Sequence, residues 1–187
     1  YEPLGVIGMI TAWNSPLLLL AWKLAPALAA GNTAVIKPSE YTSASSLQFM
    51  ELFNEAGFPK GVVNCISGYG LEAGQPLVDH PLTAKIAFTG SDVAGQKIYE
   101  RAARKIVPVT LELGGKSPNI VFEDSDVDAA VMGVISGIFA ATGQTCIAGS
   151  RLLVQKSIHD MFVKRLIKIA SQAKIGDPMS LVLLICP

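Results

Sequence analysis

Cysteine and histidine are scarce in this chain: three cysteines (Cys65, Cys146, Cys186) and two histidines (His80, His159) among 187 residues. They are widely spaced and form no Cys-x-x-Cys pair, so neither a disulfide framework nor a zinc site is indicated. A reducing, cytoplasm-like compartment fits this usage. Charge of one sign is also lacking. Fifteen basic and fifteen acidic residues cancel, which argues against nucleic acid as a partner, because neutralising phosphates needs a basic face. A membrane-length apolar run is missing too. The strongest candidate, Pro16 to Ala30, is shorter than the ~20 residues a span requires and contains Lys23 and Pro26. It is expected to be a buried helix, capped by Ser15 with Pro16 at its first position. The N-terminus, Tyr1-Glu-Pro-Leu-Gly5, has no initiator Met, no basic start and no signal-type core, and reads as the interior of something longer. Textual nucleotide motifs are absent as well. Gly68-x-Gly70-x-x-x-Gly74 has one residue too many for the dinucleotide fingerprint, and Gly90-Ser-Asp-Val-Ala-Gly95 lacks the Lys-Ser/Thr of a phosphate loop. Nucleotide hydrolysis is therefore not expected.

What is present is a chain 50% apolar, enough to bury a sizeable core. Short strands are expected at Leu4–Ile10, Thr33–Lys37, Val62–Ile66, Lys85–Thr89, Val107–Leu113, Asn119–Phe122 and Arg151–Gln155. Helices are expected between them. One spans Ser43–Ala56 with Leu47, Met50 and Phe53 on one side; others cover Leu71–Val78, the stretch from Ser91 to Ala103, and Asp126–Ala141. This rhythm indicates an α/β fold with a mostly parallel sheet. Such sheets bind ligands at the carboxyl ends of their strands, where helix N-termini offer free amides. Those ends carry Asn14, Lys37-Pro-Ser-Glu40, Gly68-Tyr-Gly70, Gly90-Ser91 and Glu112-Leu-Gly-Gly115.

Cys146 stands apart from the other thiols. It lies in Ala141-Thr-Gly-Gln-Thr-Cys-Ile-Ala-Gly-Ser150, between an apolar helical run and a strand. A side chain on such a turn is held rigidly yet can be reached by a ligand, which suits a nucleophile. A small buried filler is the alternative for any single cysteine.

In combination, several stretches make the chain resemble the NAD(P)-dependent aldehyde dehydrogenase superfamily. They are Glu2-Pro-Leu-Gly-Val6, Trp13-Asn14, Trp22-Lys-Leu-Ala-Pro26, Gly31-Asn-Thr-Ala-Val-Ile-Lys-Pro-Ser-Glu40 and Gly61-Val-Val-Asn64. Further on come Phe88-Thr-Gly-Ser91, Leu111-Glu-Leu-Gly-Gly-Lys-Ser-Pro-Asn119 and Gly143-Gln-Thr-Cys146. The resemblance implies that Cys146 is the nucleophile, and that the Asn14 amide and the Cys146 N–H form an oxyanion hole. It implies that Glu112 is the base that activates the hydrolytic water. For the cofactor it places Lys37 and Glu40 on the adenosine ribose, Ser91 on the pyrophosphate with Gly90 and Gly95 allowing close approach, and Gly70 beside the adenine. Trp13 and Leu113 belong to the same cofactor set. Because a Glu40 carboxylate repels a ribose 2′-phosphate, NAD is expected in preference to NADP.

The resemblance further implies an aldehyde as the small-molecule substrate and a homo-oligomeric parent. Trp22 matches a wall of the aldehyde tunnel; Ser15 stands where many relatives carry an aromatic residue. The expected organisation is a partial NAD-binding domain over residues 1–113 and a partial catalytic domain over 114–180. An off-pattern apolar tail, Leu181-Val-Leu-Leu-Ile-Cys-Pro187, follows. The fold class expected is thus a Rossmann-like parallel sheet plus the first part of an α/β catalytic domain. The family's downstream Glu-x-Phe motif, which holds the nicotinamide ribose, is missing, so the isolated fragment is expected to be inactive. A truncated, non-catalytic nucleotide-binding module is the alternative reading.

Overall fold

The computed structural model describes residues 2–177, so the expectations for the 181–187 tail and Cys186 lie outside the described residues. The chain forms two compact units, Tyr1–Gly114 and Gly115–Pro187.

In the first unit, strands β1 (Val6–Ile10), β2 (Thr33–Lys37), β3 (Val63–Cys65), β4 (Thr83–Thr89) and β5 (Val109–Glu112) form one sheet in the order β3-β2-β1-β4-β5. Every pairing is parallel. Helices α1 (Pro16–Ala29) and α2 (Ser43–Glu55) cover one face, and α3 (Gln75–Asp79) and α4 (Asp92–Ala103) belong to the other. With helices on both sides, the central strands must be apolar throughout, which is why Val6–Ile10 and Thr33–Lys37 read as runs rather than alternations. Ile7 and Met9 pack with Leu20, Leu24, Phe49 and Phe53; Ile10, Ile86 and Phe88 pack with Leu77, Val78, Ala94 and Ile98. The strand order reverses between β1 and β4, and a doubly wound sheet opens a crevice at that point.

Three sequence expectations are corrected here. Ser15 precedes α1 but its side chain makes no capping bond; the helix begins instead through Pro16 at its first position and Leu19 N–H donating to Ser15 O at 3.0 Å. On α2, Leu47 is exposed, because the inward stripe is Ser46, Phe49, Met50 and Phe53, one residue out of phase with it. The stretch expected as one helix over 71–78 is a π-type turn, Gly70–Gly74, followed by α3. Pro76 falls in the first turn of α3, where a residue without an N–H is tolerated, so the α-helix starts there rather than at Leu71.

Helix α4 ends in a Schellman arrangement, with Ile106 N–H donating to Ala103 O and Val107 N–H to Ala102 O, both at 3.1 Å. The residue at the left-handed position is Ile106, at φ 56°. A β-branched residue there is strained by about 1–2 kcal/mol where glycine is not, and Ile106 is 91% exposed, so its side chain packs on little. Ile106→Gly is therefore expected to stabilise the first unit by about 1 kcal/mol, read as a higher urea midpoint with unchanged slope. An unchanged or lower midpoint would refute the strain.

In the second unit, β6 (Pro118–Val121) and β7 (Arg151–Val154) pair in parallel with Ile120 opposite Leu153. Helices α5 (Val127–Phe139) and α6 (His159–Ala170) supply the rest of a core of Val121, Val131, Val134 and Phe162. Asp126 caps α5, accepting from Ala129 N–H at 3.0 Å. The expected helix to Ala141 stops at Phe139 and gives way to a 3-10 turn, Ala140–Gly143. Helix α6 escaped the sequence reading, although Phe162, Leu166 and Ile169 recur at helical spacing and do face this core. No helix among the described residues is long and apolar enough to cross a membrane.

Candidate active and cofactor site

Register brings the polar segments of the first unit to one sheet edge. Ile10 lies opposite both Lys37 and Phe88, and Thr89 lies opposite Glu112. The segments that leave these strands therefore start at a common level. Between the π-type turn, α3 and α4, a cleft of about 700 Å³ opens, with Ile10 and Phe88 as its floor and Lys37, Gly70 and Ser91 on its walls. It sits beside the β1/β4 reversal. Tyr69, from the Gly68-Tyr-Gly70 segment, also lines it, together with Leu71, Gln75, Val93 and Lys97, which the sequence did not mark as site residues.

Lys37 is 3% exposed, and its amine donates to the Glu40 carboxylate at 3.2 Å. The stem passes Gly74, where an added Cβ would lie 3.8 Å from Lys37 Cδ. Hydrogen bonding from its own backbone, and then Lys37, hold the Glu40 carboxyl below its ordinary value against an opposing effect of partial burial. Ser91 caps α4, its Oγ accepting from Ala94 N–H at 3.3 Å. Gly90 and Gly95 serve packing as the structure stands. A Cβ at Gly90 would lie 2.5 Å from the Phe88 ring, and one at Gly95 2.6 Å from Leu113 Cδ2. Gly95 thus draws α4 onto the strand end that carries Leu113. Trp13 is 45% exposed. Trp13, Glu40, Gly90, Gly95 and Leu113 are not part of the cleft lining.

Glu112 lines a second cavity of this unit, about 490 Å³, together with Trp22, Lys23 and Thr110. Its strand end is tied down twice: Gly90 N–H donates to Glu112 O at 3.0 Å, and Gly114 N–H to the Asp92 carboxylate at 3.2 Å. Trp22 is largely exposed. Lys23, noted in the sequence only as a charge that interrupts an apolar run and as part of a shared stretch, is a site residue that sequence reasoning did not assign. Its amine donates to Thr89 Oγ1 at 2.6 Å, and burial pushes its pKa down while the Glu112 carboxylate pulls it up. The signal was a lone lysine within an apolar helix. Asn14 and Ser15 are both half-buried, between β1 and α1.

Cys146, in the second unit, is half-buried and occupies a tight turn closed by Ala148 N–H donating to Thr145 O at 3.0 Å. The approach to it is unusual. Ala141, Thr142 and Gly143 all take left-handed conformations, at φ 49°, 57° and 73°. Gly143 is the only one of the three whose residue type adopts this without strain. Among the described residues the Cys146 N–H donates to no backbone carbonyl outside the regular helices and strands. By contrast, Cys65 lies in strand β3, and burial raises its thiol pKa.

The profile of the aldehyde dehydrogenase family matches residues 1–184. Betaine aldehyde dehydrogenase of Beta vulgaris, a chloroplastic protein, is 54% identical over 177 residues, which is 95% of this chain and 35% of that protein. A peroxisomal aminoaldehyde dehydrogenase of Pisum sativum is 51% identical over 178 residues, with 95% and 35% covered. The crystal structure of PnpE in complex with nicotinamide adenine dinucleotide superimposes with a TM-score of 0.94 at 51% identity, covering 98% of this chain and 38% of that one. The chain thus spans about a third of the length of these relatives.

Proposed function

This chain belongs to the aldehyde dehydrogenase family, and from that premise we propose that the whole protein oxidises an aldehyde to a carboxylic acid with NAD, Cys146 acting as the nucleophile. The observation that carries this reading is the Cys146 turn, which holds a half-buried thiol in a tight loop entered through three left-handed residues. Turnover is assigned to the full-length protein, because the relatives are nearly three times as long as the part matched here. The aldehyde class we favour is that of betaine aldehyde and aminoaldehydes, the substrates that name the relatives.

In this reading the Cys146 thiolate adds to the carbonyl carbon, and the oxygen becomes an alkoxide held by the Cys146 N–H and the Asn14 side-chain amide. NAD, when bound, supplies the acceptor for the hydride released as the alkoxide collapses to a thioester. Glu112 then takes a proton from water; the resulting hydroxide attacks the thioester, releasing the acid and restoring the thiolate. The cleft is suited to the dinucleotide. A buried amine and a carboxylate stand together at the strand ends, and Ser91 heads a helix whose N-terminal amides favour a pyrophosphate. Glu40 would bond ribose hydroxyls and repel a 2′-phosphate, so NAD is preferred to NADP. Trp22 would line the aldehyde path, with Ser15 leaving space where relatives carry an aromatic ring. Homo-oligomeric assembly and a reducing compartment belong to the same proposal; the relatives named above are chloroplastic and peroxisomal, so they do not single out the cytoplasm.

Alkylation tests the nucleophile. Near-neutral iodoacetamide should modify Cys146 of the full-length protein ahead of Cys65, whose raised pKa leaves less thiolate. Loss of NADH production should follow the fraction of Cys146 modified. Full activity after stoichiometric labelling at Cys146 would refute the assignment.

A further inference from the structure

The Leu111–Asn119 stretch contains more than Glu112, and its far end reaches the Cys146 loop. Asn119 sits in β6, with its side-chain amide donating to Gly149 O at 3.4 Å. Two glycines make room for that amide. A Cβ at Gly137 would lie 3.6 Å from Asn119 Nδ2; one at Gly149 would lie 2.8 Å from Asn119 Cγ and closer still to Nδ2. Gly149 is itself fastened to α5, its N–H donating to Gly137 O at 3.0 Å. On the other side of the turn, backbone meets backbone: a Cβ at Gly115 would lie 3.1 Å from Cys146 O. That side is stiffened by Arg151, whose guanidinium donates to Lys116 O through Nε at 2.9 Å and also through Nη2.

We propose that Asn119 is a positioning residue for Cys146. Its amide occupies the gap between Gly137 and Gly149 and pins the carboxyl side of the turn, so that the Cys146 thiol and N–H keep one orientation. The inference rests on the reading of Cys146 as the nucleophile. Asn119 touches neither the thiol nor, in this reading, the substrate. Its effect passes through three residues of backbone, from Gly149 to Cys146. The three left-handed residues on the opposite side of the turn make the need clear, because Ala141 and Thr142 hold conformations their side chains disfavour and the loop must be restrained elsewhere.

The test uses the full-length protein with four variants, of which Asn119→Ala is the reference for the double variant. Asn119→Asp keeps the shape of the side chain but removes the donor. Gly149→Ala drives a methyl into the Asn119 amide. The double variant Gly149→Ala/Asn119→Ala removes the group with which that methyl collides. The readouts are kcat, KM for NAD, and the rate at which iodoacetamide modifies Cys146 in the absence of substrate. Asn119→Asp and Gly149→Ala are each expected to lower kcat about 100-fold, the cost of a reacting group displaced by roughly 1 Å, with KM for NAD unchanged. Cys146 alkylation should slow or accelerate in both relative to the parent, because its surroundings shift. The double variant should be no worse than Asn119→Ala alone, since the clash and the clamp share one partner. A folded Asn119→Asp protein with parental kcat and alkylation rate would overturn the proposal. So would a Gly149→Ala defect that persists in full on top of that of Asn119→Ala, which also decides the matter if Asn119→Asp does not fold. If the parent enzyme keeps its activity after Cys146 is alkylated, the nucleophile assignment fails instead, and the alkylation rates still report whether Asn119 holds the turn.

Discussion

Cys146→Ala in the full-length protein is expected to abolish NADH formation, lowering kcat about a million-fold, as loss of a covalent nucleophile does elsewhere. No burst should remain, because without the thiolate no alkoxide forms from which hydride can leave. The side chain is small and half-buried, so removing one sulfur should leave the fold intact. NAD affinity should also persist. The cleft walled by Lys37, Gly70 and Ser91 is built entirely from residues of the Tyr1–Gly114 unit. Isothermal titration with NAD beside a stopped-flow aldehyde assay therefore separates binding from chemistry. Cys65→Ala is the control: it alters a partly buried residue at the edge of the sheet core and should leave turnover in place. Measurable burst amplitude in Cys146→Ala would mean that another group attacks the aldehyde.

Glu112 and Asn14 should fail at different stages. With Glu112→Gln, the first turnover should proceed and give an NADH burst. Hydrolysis of the thioester should then be slower by about 10²–10⁴-fold, the usual worth of a general base. Asn14→Ala should slow the burst itself, because the oxyanion develops before hydride leaves. Losing one donor of an oxyanion hole costs about 10²–10³-fold in kcat. The two substitutions differ in their surroundings as well. Glu112 shares its cavity with Lys23, so a neutral amide there removes the charge that raises the Lys23 pKa. Lys23 should then give up its proton at lower pH in Glu112→Gln than in the parent, an effect readable as a shift in the pH dependence of lysine labelling. Equal loss of burst in both variants would show that Glu112 acts before hydride transfer or holds the site together without acting as a base.

Local pattern alone determined much of this protein. Apolar runs bounded by glycine and proline mark the strands, and their alternation with helices requires a parallel sheet, since successive strands cannot be joined by hairpins across a helix. Placing Cys146 on a turn needed only the end of one apolar helix and the start of one strand. Placing Lys37 and Glu112 at strand ends, and Gly70 and Ser91 beyond them, needed no more. Tertiary structure decided which of these ends are neighbours. That β1 lies between β2 and β4, so that Ile10 faces both Lys37 and Phe88, follows from packing on two sheet faces at once, and no window of sequence contains it. The phase of α2 was set the same way: Ser46, rather than the more apolar Leu47, turns inward because Phe49, Met50 and Phe53 together bury more surface. Lys23 reads as an interruption in an apolar helix and becomes a half-buried neighbour of Glu112 only when α1 packs on the sheet, with the lysine amine reaching Thr89 at the end of β4. Asn119 and Gly149 are 30 residues apart, and their contact exists because β6 and β7 pair in register beside α5. Periodicity is a local property and is written in the chain; adjacency across the sheet is a result of burying every apolar face simultaneously, and only the folded structure contains it.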